Sequence, residues 1–168
     1  MGRITIGARR LPLADFVGIC LRQDTVQLDQ AHISKIESDL AAAKPKPSGS
    51  PAKITVIEDV GESMPEMQSR AAVLQILVRL AQGKYQVRSS VMMSLADVLN
   101  DSDTRLSLPI SNTAVAVSSL IEDLTALEYE AIKTSFSLPL AISACSSFAV
   151  MQMITWSDVV AAITLEGC

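Results

Sequence analysis

The first residues of the chain alternate short β-like runs with helical patterns. Residues 3–6 (RITI) and 25–28 (TVQL) are rich in β-branched residues, which predicts two short strands. Between these runs, apolar residues recur at the spacing of one helix face: Leu13, Phe16, Val17 and Leu21. We therefore expect a helix flanked by two strands, with a short N-terminal β-hairpin as the candidate arrangement of the strands.

A second helix and a proline-rich segment come next. Asp29 stands where its carboxylate can cap a helix that reaches about Ala43. The apolar face of this helix carries Ile33, Ile36 and Leu40. Residues 44–52 then contain three prolines and a glycine, which predicts a linker or surface loop. Because 168 residues suit one core, we place this loop inside a single domain that spans residues 1–168.

The central part of the chain carries the clearest helix signals. Residues 53–60 (KITVIEDV) are compatible with a short strand or with an irregular lead-in. At Ser63 the sequence SMPE has the features of a helix start, because serine can cap an amide and Glu66 can reach back. The predicted helix runs to about Gln82, and Gly83 ends it. Its inward face carries Val73, Leu74, Leu77 and Leu80.

Three further helices are predicted towards the C-terminus. The first covers residues 90–99, and its apolar face carries Val91, Leu95, Val98 and Leu99. After a loop, Asn112 is placed to cap a helix that reaches about Lys133. The last and longest helix runs from near Pro139 to Leu165. The fold class is therefore mainly α, with long packed helices.

The last helix falls in a long stretch without charge. No charged residue occurs between Lys133 and Asp158, a length that could cross a bilayer. Pro139, Gln152 and several serines and threonines lower its hydropathy, so we favour a buried core helix over a membrane span. A helix that is apolar on every side needs neighbours all round it, either from its own domain or from a partner.

Composition narrows the classes of function. Hydrophobic residues make up 49% of the chain and aromatic residues only 4%, which suits an aliphatic, helical core. The net charge of −4 and the lack of a basic stripe argue against nucleic-acid binding. Cys20, Cys145 and Cys168 form no C-x-x-C pair, so we expect free thiols in the reducing cytoplasm. Arginines near the start, ahead of Asp15, keep an organellar presequence as the alternative.

Residue types and spacings alone point to no active site. The single histidine, His32, has no cysteine close to it in sequence, so we predict no metal site. No serine stands in a G-x-S-x-G turn, and no glycine-rich phosphate loop occurs. The acidic clusters around Glu58 and Asp101 fall in predicted loops, where solvated charge explains them.

Several short motifs nevertheless follow one another in a distinctive order. VGESMP at 60–65 precedes the long central helix, LAQG at 80–83 ends it, and Val87-Arg88 follows. This order resembles the histidine/phenylalanine ammonia-lyase family, in which VGEPLP precedes a helix that ends in LA-K/Q-G-x-S-G-V-R. The resemblance is strongest over residues 58–100. It implies a mostly helical fold like the N-terminal region of those lyases, with long helices that belong to a tetrameric bundle.

In that family an Ala-Ser-Gly tripeptide cyclises into the electrophilic methylidene-imidazolone group. The matching place in this sequence is Ala116-Val117-Ser118. Cyclisation needs the serine hydroxyl to leave as water, and valine has none. It also needs a close approach of two backbone groups, for which glycine is suited. The resemblance therefore implies a degenerate prosthetic-group position, no imidazolone cofactor and no ammonia-lyase activity.

The family's tyrosine loop, Y-G-x-N-T-G-F-G, is also missing before Glu58, as is the larger C-terminal half of a full-length lyase. Residues left to line a lyase-derived pocket are Tyr85, Arg88, Thr113 and Ser118. We therefore expect a catalytically inactive, lyase-like interaction or structural subunit, in a homo-oligomer or with a protein partner held by apolar helices. The alternatives are a repurposed enzyme or small-molecule-binding protein of specialised metabolism, and a truncated gene product without a function of its own.

Overall fold

A computed structural model of the chain describes residues 2–21, 23–42, 62–83, 85–102 and 105–166. The predicted proline-rich loop and the segment at 53–60 lie outside the described residues. The strands are β1 (Arg3–Ile6) and β2 (Thr25–Leu28). The helices are α1 (Leu13–Leu21), α2 (Gln30–Ala42), α3 (Glu66–Ala81), α4 (Ser89–Asn100), α5 (Thr113–Ser119), α6 (Ala126–Ser135) and α7 (Leu138–Glu166). The fold is mainly α with a short N-terminal strand pair, as predicted.

The two strands lie where the sequence predicts them, but they pair in parallel. Arg3 stands opposite Thr25 and Ile6 opposite Leu28. A hairpin would run antiparallel, and this expectation is wrong because α1 carries the chain back to the starting end before β2 begins. The predicted Asp29 cap is confirmed, since its carboxylate accepts the amides of Ala31 and His32 at 3.1 and 3.3 Å, which starts α2.

Helix α3 is the centre of the fold and packs against α1, α4, α6 and α7. The four residues predicted to face inward are all buried. Gly83 follows the helix with a φ of 73°, the left-handed conformation that ends helices and favours glycine. The predicted start differs, because Pro65 precedes the first turn and no side chain caps it. Ser63 instead forms an isolated antiparallel bridge with Pro109.

Arg70 lies in the middle of α3 and is only 2% exposed. Its guanidinium donates to the Ile19 carbonyl at 3.3 Å and to the Leu99 carbonyl at 2.6 Å. These acceptors stand in the last turns of α1 and α4, where carbonyls lack helical partners and carry partial negative charge. A buried cation thus joins the ends of two helices to the central one.

The single helix predicted from Asn112 to about Lys133 is wrong. The structure divides it into α5 and α6, and the turn between them holds Asp123 at a φ of 54°. Helix α6 begins with a capping box in which the Thr125 side chain accepts the Glu128 amide and the Glu128 carboxylate accepts the Thr125 amide. This local start signal restarts the helix. The side chain of Asn112 does not cap α5.

The long helix α7 is confirmed, but the expectation that it is a buried core helix is wrong for most of its length. Its first turns pack on the core, with Ala141 at 1% and Cys145 at 6% exposed. From residue 149 to 163 every residue is exposed. We call residues 149–163 the free segment of α7, and the remaining described residues up to 148 the domain body.

Candidate functional site

The tripeptide at the predicted prosthetic-group position lies within α5. Val117 is fully buried in the core. The Ser118 hydroxyl donates to the Ala114 carbonyl at 2.7 Å, one turn back along the helix. An imidazolone needs a hydroxyl at the middle residue and the freedom of glycine at the third. These residues do not fit the group, since Val117 has no hydroxyl to lose and Ser118 carries a side chain in regular helical backbone.

The predicted pocket residues make different contacts. Tyr85 lines a groove that neither Arg88 nor Thr113 lines. Thr113 is buried, and its hydroxyl donates to the Pro109 carbonyl at 2.7 Å, which fixes the start of α5. Arg88 forms an ion pair with Glu128. The three residues therefore have separate roles in the described structure, and two of them are committed to holding helices in place.

The Arg88–Glu128 pair is a structural clamp between a partly exposed arginine and a buried carboxylate. The carboxylate of Glu128, whose side chain is 3% exposed, accepts Arg88 Nε and Nη2, each at 2.8 Å. The Arg88 amide and both the amide and hydroxyl of Thr125 donate to the same carboxylate. Burial alone would raise the pKa of Glu128, but these hydrogen bonds outweigh it and lower the pKa to about 2. The carboxylate is therefore ionised and fully engaged, so it suits structure rather than proton transfer.

His32 and Cys20 are also held in the body. His32 Nε2 lies 2.5 Å from the Ala81 carbonyl oxygen at the end of α3, where a ring N–H donates. Burial raises the pKa of the Cys20 thiol to about 12, with a smaller contribution from nearby Cys145. A neutral buried thiol is a poor nucleophile. Among the described residues, no group of three or more histidine, cysteine or acidic side chains is placed to hold a metal ion.

An open groove of about 740 Å³ lies between α1, α3 and the first turns of α7. Its lining is Arg10, Leu11, Leu13, Phe16, Gln75, Val78, Arg79, Gln82, Tyr85, Leu140 and Ala144. Gln75 is already used, because its amide donates to the Ser135 carbonyl and accepts the Ser137 amide, both at 3.1 Å. Two exposed arginines, Arg10 and Arg79, supply the charge of this otherwise largely apolar groove.

The second exposed feature is the free segment of α7. Its large apolar side chains are 43–71% exposed: Val150, Met151, Met153, Ile154, Trp156, Val159, Val160 and Ile163. Residues Leu138–Ile163 have a mean hydropathy of 1.5 and are long enough to cross a membrane. However, the buried residues Ala141 and Cys145 tie the first turns to the body. The part of α7 beyond Cys145 runs to Glu166 and is roughly 32 Å long, comparable to a bilayer core of about 30 Å.

No protein-family model matches the chain, and no curated protein matches it significantly.

Proposed function

We propose that this chain is a catalytically inactive, ammonia-lyase-like interaction subunit that associates with copies of itself through α7. The observation that carries the proposal is the free segment, in which residues on all sides of the helix are exposed and mostly apolar. Removing such a surface from water is favourable, and monomeric proteins rarely leave so large a contiguous patch uncovered.

The lack of lyase chemistry is supported by the residues that would have to perform it. Val117 offers no hydroxyl for cyclisation, and it is a fully buried core residue of α5. The motif order around residues 60–100 resembles the lyases, while the tyrosine loop has no counterpart in the sequence. A retained helical framework without its electrophile suits a role in assembly, in the cytoplasm, rather than in catalysis.

A protein partner suits the free segment better than a bilayer. Gln152 and Asp158 both lie in the stretch that would have to cross the membrane, and an acid inside a span is costly. Ala141 and Cys145 also dock the first turns of α7 on the body, so a span would have to begin directly at the body surface. In a helix pair, by contrast, Asp158 can be matched by a basic side chain of the partner.

Light scattering on the purified full chain tests the proposal. We expect a dimer or a larger assembly at micromolar concentration, with dissociation on dilution. A stable monomer that binds no hydrophobic dye would contradict the association. Flotation with neutral phosphatidylcholine vesicles checks the membrane alternative, and we expect the protein to stay with the soluble fraction.

A separate assay tests the proposed inactivity. We expect no release of urocanate from histidine or of cinnamate from phenylalanine, and no ultraviolet absorbance from an imidazolone. Either signal would overturn the inactive part of the proposal and leave the association untouched.

The small-molecule-binding alternative has one observation in its favour, the groove beside Tyr85. We place it second because the groove is open to solvent and the amide of Gln75, a polar group in its lining, is already bonded within the protein. Ligand pockets usually enclose most of their ligand and present convergent polar groups.

A further inference from the structure

The groove and the free segment are complementary in charge. Arg10 and Arg79 are exposed on the groove, and neither forms an ion pair within the described part of the chain. Asp158 is the one charged residue between Lys133 and Leu165, and it is exposed on the free segment. The same molecule therefore carries two exposed cations on its groove and one exposed acid on its long helix.

The geometry of α7 places that acid on the groove side. A helix turns by about 100° per residue, so residues 18 apart return to the same side after five turns, about 27 Å along the axis. Leu140 lines the groove, and Asp158 is 18 positions beyond it. The stripe that joins the two consists of Leu140, Ala144, Ser147, Met151, Ile154 and Asp158. The α7 wall of the groove thus continues without interruption along the free segment.

Resting on the proposed self-association, we infer that the free segment of a second copy occupies this groove. The two α7 helices pack antiparallel about a twofold axis near residue 149, and the partner's Asp158 reaches the two groove arginines. The arrangement is reciprocal, because each copy contributes one groove and one free segment, and so it closes as a dimer. One interaction then covers both the groove and the exposed apolar side chains of the free segment.

Side-chain size supports this register. With Leu140 opposite the partner's Asp158, Ala144 faces the partner's Ile154 and Ser147 faces the partner's Met151. Each small residue therefore faces a large one, and the twofold symmetry repeats both pairings with the two copies interchanged. Small residues opposite large ones let helices interlock closely. A small-molecule occupant would leave the free segment unexplained.

A pair of methionines on the free segment provides the main test. Met151 lies on the stripe, whereas Met153 is rotated about 200° from it, and both are exposed, at 57% and 71%. We expect Met151→Glu to weaken the dimer by roughly a hundredfold or more, because two carboxylates would be buried beside the axis. Met153→Glu should leave the dimer intact. Light scattering and sedimentation of the full chain measure both, with thermal melting to show that each variant is folded.

Charge reversal tests the register. Asp158→Arg should weaken the dimer by roughly tenfold, since it places like charges together at two symmetric positions. Combining it with Arg79→Asp should restore most of that loss. If the double variant dimerises no more tightly than Asp158→Arg alone, the proposed register is overturned.

The outcomes also separate this inference from the proposed function. A wild-type assembly that is broken by Met153→Glu and kept by Met151→Glu would overturn the inference and leave self-association standing. A wild-type monomer would remove both. If that monomer bound dodecanoate in an Arg79-dependent way, the groove would be assigned to a small carboxylate. If it moved into phosphatidylcholine vesicles, α7 would be assigned to a membrane.

Discussion

The domain body and the free segment of α7 differ in the side chains that they bury and expose. In the described body, buried side-chain nitrogen and oxygen atoms all have hydrogen-bond partners, including those of Arg70 and Glu128. In the free segment, apolar side chains as large as Trp156 remain 66% exposed. The body therefore satisfies its own polar groups, whereas the segment leaves its apolar surface for something else to cover. This difference underlies the proposal that the body folds the chain and the segment mediates its assembly.

The largest effect is expected from removing the buried cation of the body. Arg70→Met keeps much of the side-chain volume but leaves the Ile19 and Leu99 carbonyls without their donor. We expect a loss of about 3 kcal/mol in the free energy of unfolding, measured by urea denaturation. Arg79→Met is the matched control on the same helix. At a protein concentration low enough to dissociate the proposed dimer, it should change stability little because Arg79 is exposed. Equal effects from both would remove the special role of Arg70.

The Arg88–Glu128 clamp should make the body sensitive to acid. Glu128→Gln is expected to lower the free energy of unfolding by about 2 kcal/mol at neutral pH, because a charge-assisted network is lost. The loss is not larger because Arg88 is partly exposed and water can solvate its charge. Glu130→Gln on the same helix is the control, since Glu130 is exposed and its 3.8 Å contact with Lys133 is weak.

The pH dependence of this clamp has a definite sign. The folded pKa of Glu128, about 2, lies below the ordinary value of 4.5, so its stabilisation is complete above pH 4.5 and declines as the pH falls towards 2. Wild-type unfolding followed by circular dichroism should show this decline. Glu128→Gln should show a shallower one, and parallel curves would contradict the assignment.

A smaller effect is expected where α4 meets the sheet. The Asn100 side chain accepts the Val26 amide at 2.7 Å and donates to the Val26 carbonyl at 2.9 Å, as a neighbouring strand would. Asn100→Ala should cost about 1 to 2 kcal/mol. Hydrogen exchange should show faster exchange of the Val26 amide in this variant. Unchanged protection there would mean that the contact contributes little.

The smallest effect is expected on the free segment. Met153→Ser removes a large apolar side chain that is 71% exposed, so the unfolding free energy should change by no more than about 0.5 kcal/mol. A Leu74→Ala substitution in α3, where the side chain is fully buried, provides the contrast and should cost about 2 to 5 kcal/mol. Similar costs for the two would abolish the distinction between body and segment.

Local signals in the sequence predict most of the elements. The strands, the Asp29 cap and the end of α3 at Gly83 each depend on a few neighbouring residues, and all are confirmed. The division of the 112–133 helix is also local, because Thr125-x-x-Glu128 is a capping box that the helical periodicity conceals. The strand direction is not local, since it depends on how α1 packs between β1 and β2.

The environment of single residues is harder to predict. No feature of the flanking sequence distinguishes Arg70 from Arg79. Only the tertiary fold shows that α1 and α4 both end against Arg70. Likewise, the uncharged composition of α7 indicates a need for neighbours but cannot tell whether they come from the same chain. The groove is still less visible in the sequence, because its walls come from three separate helices and the segment before α1.

Arg70 also has a consequence for how the body opens. Its guanidinium is shared between the ends of α1 and α4, so detaching either helix alone would leave a charge partly stripped of both protein and water contacts. Separate opening of these helices is therefore disfavoured, and they should exchange their most protected amides with deuterium at similar rates. One side chain would thereby make two helices that are distant in sequence behave as a single cooperative unit.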